Sequence, residues 1–299
     1  MSLRIVFIGC VESSKVALQA LLASPPELAQ VVGVMTRRAS AFNADFVDLS
    51  PLAHDAGLAW LQAEDATGDD EQAAWVEQLG ADVVFCVGWS RLLGPRLLAA
   101  PARGVVGFHP AALPANRGRH PLVWALALGL QETASSFFLM RADADSGPLL
   151  SQKTIAIART DDAGALYEKV LDAIRSQIPR IVEEMARGTL QAREQDHARA
   201  NHWRRRSAID GQIDWRMGAG SIYNLVRALA RPYPGAHFVH QQHAVKVWRS
   251  EVSNDGASNI EPGKVLAVEG SRLLIKCGTE SLWLLEHELQ SLPCPGDYL

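Results

Sequence analysis

The stretch Leu3-Arg-Ile-Val-Phe-Ile-Gly-Cys-Val-Glu-Ser-Ser-Lys-Val-Ala-Leu-Gln-Ala-Leu-Leu22 decides the fold. Its first part, Leu3 to Gly9, is an apolar run of strand length. From Ser13 to Leu22, Ala17, Leu18, Leu21 and Leu22 recur at the spacing of one helix face. A second apolar run, Val31 to Thr36, follows, and the order strand, helix, strand predicts a βαβ unit with a parallel sheet. The turn Gly9-Cys-Val-Glu-Ser-Ser14 lacks the G-x-G-x-x-G spacing whose extra glycines admit a dinucleotide pyrophosphate, which argues against NAD or FAD.

Beyond a turn-rich stretch from Arg37 to Asp70, the pattern predicts a helix over Glu71 to Leu79 and a buried strand over Asp82 to Val87, with Gly88-Trp-Ser-Arg-Leu-Leu93 at its carboxyl end. The next strand, Gly104 to Phe108, lies within Val105-Val-Gly-Phe-His-Pro-Ala-Ala-Leu-Pro-Ala-Asn-Arg-Gly-Arg119. It stops at His109, because Pro110 removes a ladder donor and fixes the turn. His109 is thereby put at a strand's carboxyl end, where open α/β sheets hold their ligands. A further strand, Thr133 to Met140, leads into Asp143-Ala-Asp-Ser-Gly147. Either Asp143 or Asp145, folded back toward His109, would orient the imidazole and favour its charged form. That pairing is acid/base chemistry. Taken singly, these residues have plainer readings: an aspartate that shapes a glycine turn, Trp89 and Leu92 as caps of the core, Arg117 as a brace within its loop.

Helical spacing returns over Pro121 to Leu130 and over Asp162 to Ala186, where Leu166, Val170, Leu171, Ile174, Ile178, Ile181 and Val182 form one stripe. The polar run Gln191 to Asn201 reads as a linker. A helix from Ala219 to Ala230 ends at Pro232 and Pro234. Short strands at Ala244 to Trp248, Gly263 to Val268, Arg272 to Lys276 and Ser281 to Leu285, separated by Asn, Asp, Gly and Ser turns, predict a small β-barrel. Two domains are expected, residues 1–200 and 201–299.

With 299 residues, 48% of them hydrophobic, the chain can bury a sizeable core. Its formal net charge of -4 weighs against a broad nucleic-acid footprint, although Trp203-Arg-Arg-Arg206 is a local basic patch. Cys10, Cys86, Cys277 and Cys294 show neither C-x-x-C nor zinc spacing, and no secretory h-region follows Met1-Ser-Leu-Arg4, so a reduced cytoplasm is expected. No apolar run reaches the roughly eighteen residues of a membrane span, and no membrane role is expected.

The words His109-Pro-Ala-Ala-Leu-Pro114, Arg117-Gly118, Trp124, Thr133, Asp145-Ser-Gly147 and Gln152 resemble the folate-dependent formyltransferases. That family includes methionyl-tRNA formyltransferase, the sugar N-formyltransferases and the hydrolase domain of formyltetrahydrofolate dehydrogenase. Asp210-Gly-x-Ile-Asp-Trp215 and Ile222-Tyr-Asn-Leu-Val-Arg-Ala-Leu-Ala-Arg-Pro-Tyr-Pro-Gly235 extend the resemblance, which is closest to enzymes acting on nucleotide-linked amino sugars. It implies an α/β fold: a Rossmann-like formyltransferase domain with a smaller C-terminal OB-like β-barrel. It further implies 10-formyltetrahydrofolate as formyl donor, no metal, and a nucleotide-linked amino sugar as acceptor, in a setting such as lipopolysaccharide assembly. A homodimer is allowed.

The resemblance carries His109 and Asp145 over as catalytic residues. The family's asparagine two positions before the histidine is Gly107 here, and Asn116 is the expected substitute donor to the oxyanion, a role typically worth roughly 10²- to 10³-fold in rate. Gly88, Trp89, Arg91, Leu92, Asp143 and Gly147 are expected to hold the folate, and Arg117 and Arg119 to meet phosphate. The rival readings are a formyltetrahydrofolate hydrolase, a methionyl-tRNA formyltransferase and a folate-binding protein without turnover.

Overall fold

The computed structural model describes residues 2–39, 44–253 and 258–299. In chain order its elements are β1 (Leu3–Ile8), α1 (Glu12–Leu22), β2 (Ala29–Thr36), α2 (Ser50–Asp55), β3 (Ala59–Gln62), α3 (Asp69–Gln78), β4 (Val83–Cys86), α4 (Pro95–Ala99), β5 (Val105–His109), β6 (Arg117–Gly118), α5 (Pro121–Ala127), β7 (Glu132–Leu139) and β8 (Leu149–Ala156). There follow α6 (Ala163–Ala186), β9 (His202–Trp203), α7 (Ala219–Ala228), β10 (Ala236–His240), β11 (His243–Ser253), β12 (Val265–Glu269), β13 (Arg272–Lys276) and β14 (Ser281–His287). The stretch read as turn-rich includes residues 40–43, which lie outside the described ones; its described part holds α2 and β3.

Seven strands form one sheet in the order β3-β2-β1-β4-β5-β7-β8. The pairs from β3 to β5 are parallel, and β7 runs antiparallel to β5. Every residue of β1 except Arg4 is buried, as expected of a central strand covered on both faces. The turn into α1 is tight: a Cβ on Gly9 would lie 2.4 Å from the Val87 carbonyl oxygen. Ser14 Oγ accepts from the amides of Cys10 and Val11, both at 3.1 Å, and donates to Val87 O at 2.6 Å. One hydroxyl therefore satisfies the loop amides that a dinucleotide-binding turn would offer to phosphate. The stripe of α6 expected from Leu166 to Val182 is buried throughout.

Two compact units emerge, one made of Met1–Gly118, Thr133–Ile155 and Glu168–Trp203, the other of Arg119–Glu132, Ala156–Tyr167 and Arg204–Leu299. The second takes up 119–132 because α5 buries Leu122, Val123, Ala125 and Leu126 and packs on α7, whose Ile222, Leu225 and Val226 are buried in turn. Its strands form a five-stranded antiparallel sheet ordered β10-β11-β14-β13-β12. Trp215 and Phe238 pack there with ring centroids 5.4 Å apart.

Candidate active site

β5 delivers His109 to its carboxyl end, opposite Ser136 of β7. The loop that follows is tied down by polar side chains of β7 and β8. Thr133 Oγ1 donates to Pro110 O (3.3 Å), Ser136 Oγ to Ala111 O (2.6 Å), and Gln152 Nε2 to Leu113 O (2.8 Å) and Ser136 Oγ (2.9 Å). The loop then closes as β6, which pairs with β9. Thr133 and Gln152 thus hold the histidine's loop in shape, a buried backbone being stable only when its carbonyls find donors.

His109 is buried. Its Nε2 lies 2.8 Å from the backbone oxygen of Asn116. A carbonyl only accepts, so Nε2 carries a hydrogen and donates it. Nδ1 faces Asp145 Oδ2 at 3.6 Å, an ion-pair distance longer than a hydrogen bond. The same Oδ2 accepts the Gly118 amide at 2.9 Å. Asp145 reaches this position with a left-handed backbone (φ 55°). Two residues on, Gly147 is required by contact: a Cβ there would sit 1.6 Å from Leu139 O.

Of the two aspartates in this turn, Asp145 is the one that faces His109. Asp143 is exposed, and its carbonyl accepts from Ser146 Oγ at 2.8 Å. Asn116 approaches the imidazole through its main chain, with φ 65° and its own amide held by Asn201 Oδ1 at 2.7 Å. At Gly107 a Cβ would meet Met140 Cγ at 2.7 Å and Phe138 Cζ at 2.9 Å.

Arg117, expected to meet phosphate, is buried, and its Nη2 donates to Gln195 Oε1 at 2.7 Å and to His197 Nδ1 at 3.1 Å. Through Nη2 it braces these two side chains, while its buried Nε has no hydrogen-bond partner. Arg119 is exposed. In the loop after β4, Gly88 has φ 67° and no space for a side chain, a Cβ lying 2.2 Å from Val11 Cγ2. Trp89 packs on the core cluster of Cys86, Leu93 and Leu97, while Leu92 is exposed. Arg91 pairs with Asp65 at 2.6 Å, and Arg37 binds the same carboxylate, which holds Asp65 below its usual carboxyl range through the Arg37 hydrogen bond. Among the described residues no group of three or more His, Cys, Asp or Glu has the arrangement of a metal site, and no helix is long and apolar enough to cross a membrane.

Sequence reasoning missed Gln195 and Asn201, both in the run read as a linker. That run folds back: Leu149 and Arg193 exchange backbone hydrogen bonds of 2.8 Å, and the Arg117 amide donates to Asn201 O at 3.1 Å. Polar residues without periodicity give no warning of such a return.

A strand-end histidine faces a carboxylate on a glycine-bounded loop at the carboxyl edge of a mostly parallel sheet, an arrangement suited to acid/base chemistry. The chain belongs to the formyl transferase family: the formyl transferase model matches residues 3–182 and the formyl transferase C-terminal domain model residues 206–293. Among solved structures it is similar to HypX from Aquifex aeolicus in complex with tetrahydrofolic acid (14% identity, TM-score 0.66), covering 97% of this chain and 45% of that one. The chain therefore spans about half the length of HypX. It is also similar to WlaRD, a sugar 3N-formyl transferase solved with dTDP and 5-N-formyl-THF (15% identity, TM-score 0.72, covering 98% of this chain and 100% of that one). A third is the N-formyltransferase from Helicobacter canadensis, in complex with folinic acid and dTDP-3-aminofucose (13% identity, TM-score 0.70, covering 94% and 98%).

Proposed function

We propose that the protein moves a formyl group from 10-formyltetrahydrofolate to the amine of a nucleotide-linked amino sugar. The observation that carries the chemistry is the pairing of buried His109 with half-buried Asp145, in which Nδ1 faces a carboxylate held by the Gly118 amide. The acceptor class is supported by the end-to-end match to two sugar N-formyltransferases whose structures contain a folate derivative together with dTDP or dTDP-3-aminofucose.

In this reading the amine nitrogen attacks the formyl carbon and an oxyanion forms. The C–N bond to folate N10 then breaks, one proton leaving the amine and one reaching N10. His109 Nδ1 takes the amine proton, Asp145 stabilises the imidazolium that results, and the same proton passes from the imidazolium to N10 as the C–N bond breaks. The Nε2–H now held by Asn116 O is the donor that the oxyanion takes over, an exchange of one oxygen acceptor for another. Gly88, Trp89, Arg91, Leu92, Asp143 and Gly147 are assigned to the folate side, and the exposed Arg119 to a sugar-nucleotide phosphate. The five-stranded C-terminal sheet is read as an OB-type barrel that places the acceptor, and the reaction is assigned to the cytoplasm.

The test is incubation with 10-formyltetrahydrofolate and a panel of UDP-, dTDP-, GDP- and CMP-linked amino sugars, with mass detection of a formylated product. One acceptor is expected to gain the formyl mass at the rate at which tetrahydrofolate appears. Folate turnover with no sugar formylated would overturn the acceptor assignment.

A further inference from the structure

We propose that Gln195, braced by Arg117, is a positioning residue for Asp145, so that part of the site is built by the segment that follows the catalytic loops in sequence. Gln195 is 5% exposed. Its Nε2 donates to Asp145 O at 2.9 Å and to Gly147 O at 2.6 Å, spanning the two carbonyls on either side of Ser146. Its Oε1 accepts from Arg117 Nη2. This orientation is fixed chemically, because a guanidinium has no acceptor and a carbonyl has no donor, so the carboxamide can face them in one sense only.

The contacts close a ring. The Arg117 side chain holds Gln195, Gln195 holds the Asp145 main chain, and the Asp145 carboxylate accepts the amide of Gly118, the residue after Arg117. Asp145 sits at φ 55°, a left-handed conformation uncommon for residues with a side chain, although aspartate adopts it more readily than most. The ring imposes it at both ends, main chain and carboxylate, and so fixes the 3.6 Å separation from His109 Nδ1. Gln195 touches neither reacting group in this account and acts through Asp145. A carboxamide is required there, since the position must accept from a cation and donate to two carbonyls at once. Leucine offers neither function, and glutamate keeps only the first.

The kinetic arm of the proposal rests on the formyl-transfer reading, and a second arm does not. Amide hydrogen exchange at Gly118 reports the bond to Asp145 directly, without substrate. In Asp145→Ala this amide is expected to exchange at least about tenfold faster, as follows from losing a hydrogen bond to a charged acceptor. Gln195→Leu is expected to accelerate it comparably while β1 and β4 amides stay protected, and Gln195→Leu in the Asp145→Ala background to add little. Turnover of 10-formyltetrahydrofolate, with the acceptor from the sugar panel, is expected to lose kcat about tenfold in Gln195→Leu with KM nearly unchanged. Gln195→Glu is expected not to rescue it, and Gln195→Leu to cost nothing further in Asp145→Asn. Unchanged Gly118 exchange in Gln195→Leu would overturn the proposal, whatever the activity. Additive kinetic losses in the double variant would equally remove the link to Asp145. If the wild type turns over no folate, the functional reading fails while the exchange arm still decides the role of Gln195.

Discussion

His109 donates its Nε2–H to the backbone oxygen of Asn116 at 2.8 Å, so a residue seven positions along the loop sets the tautomer of the central imidazole. Nδ1 is the nitrogen that faces Asp145. A main-chain partner has the further consequence that no substitution of the Asn116 side chain removes it.

Asn116→Gly is therefore expected to leave turnover within a few-fold of wild type, because glycine keeps the carbonyl and accepts φ 65° without strain. Initial rates with saturating folate and acceptor test this. A loss approaching the 10²-fold typical of one oxyanion donor would instead return the donor role to the asparagine side chain.

His109→Ala and Asp145→Asn are each expected to lower formyl transfer by at least roughly a hundredfold with the fold intact, since each removes a partner that acts on the barrier. Asp143→Asn is expected to be milder, its side chain being exposed and only its carbonyl engaged in the turn. Circular dichroism with steady-state rates separates folding from chemistry. Equal severity of the two aspartate variants would mean that Asp143 shares the role.

Gly147→Ala is expected to cost about 3 kcal/mol, as overpacking against main chain does, because the obstructing atom is the Leu139 carbonyl oxygen and no side chain can swing away. Gly220→Ala is the control. It lies in α7 with nothing within 4 Å of its added Cβ, and alanine is the better helix former. Denaturant midpoints compare the two, and a harmless Gly147→Ala would contradict the close approach on which the Asp145 turn is built.

The pKa of His120 is lowered by partial burial and then by Arg206, Arg119 and Arg205, against a smaller opposing pull from Asp210. The unfolded chain then binds this proton more readily than the folded one. The stability His120 contributes is present above its unfolded value near 6.5 and is lost as pH falls through and below it. His120→Asn tolerates the same left-handed backbone and removes the titration. Between pH 7.5 and pH 5 this variant is expected to lose less stability than the wild type in parallel melts; an identical loss would show that burial and the arginine cluster exert no such effect on His120.

Much of the fold was legible because its central elements are covered on all sides. β1, β2, β4 and β5 read as continuous apolar runs, and the stripe of α6 emerged at helical spacing. β3, β8 and β10 escaped because each lies at a sheet edge with several exposed positions, so neither an apolar run nor a clean alternation marks them. In the site, His109 was legible from Pro110 stopping its strand, and the Asp145 turn from its glycine. Which aspartate faces His109 was left open by turn chemistry alone and rested on the resemblance. Gln195 and Asn201 were hidden for a different reason. Their partners are main-chain groups and polar atoms 48 to 85 residues away, and a polar segment of the chain carries no pattern that announces such contacts.

The most direct test of formyl transfer to an amino sugar is the fate of a labelled formyl carbon. The protein is given 10-[13C]formyltetrahydrofolate and the amino sugar selected from the panel, with His109→Ala in parallel, and the label is followed by NMR. The account predicts a new formamide signal on the sugar, formed in step with tetrahydrofolate and suppressed at least roughly a hundredfold in the variant. Label recovered as free formate, on methionyl-tRNA added as a competitor, or still on the bound folate would contradict it.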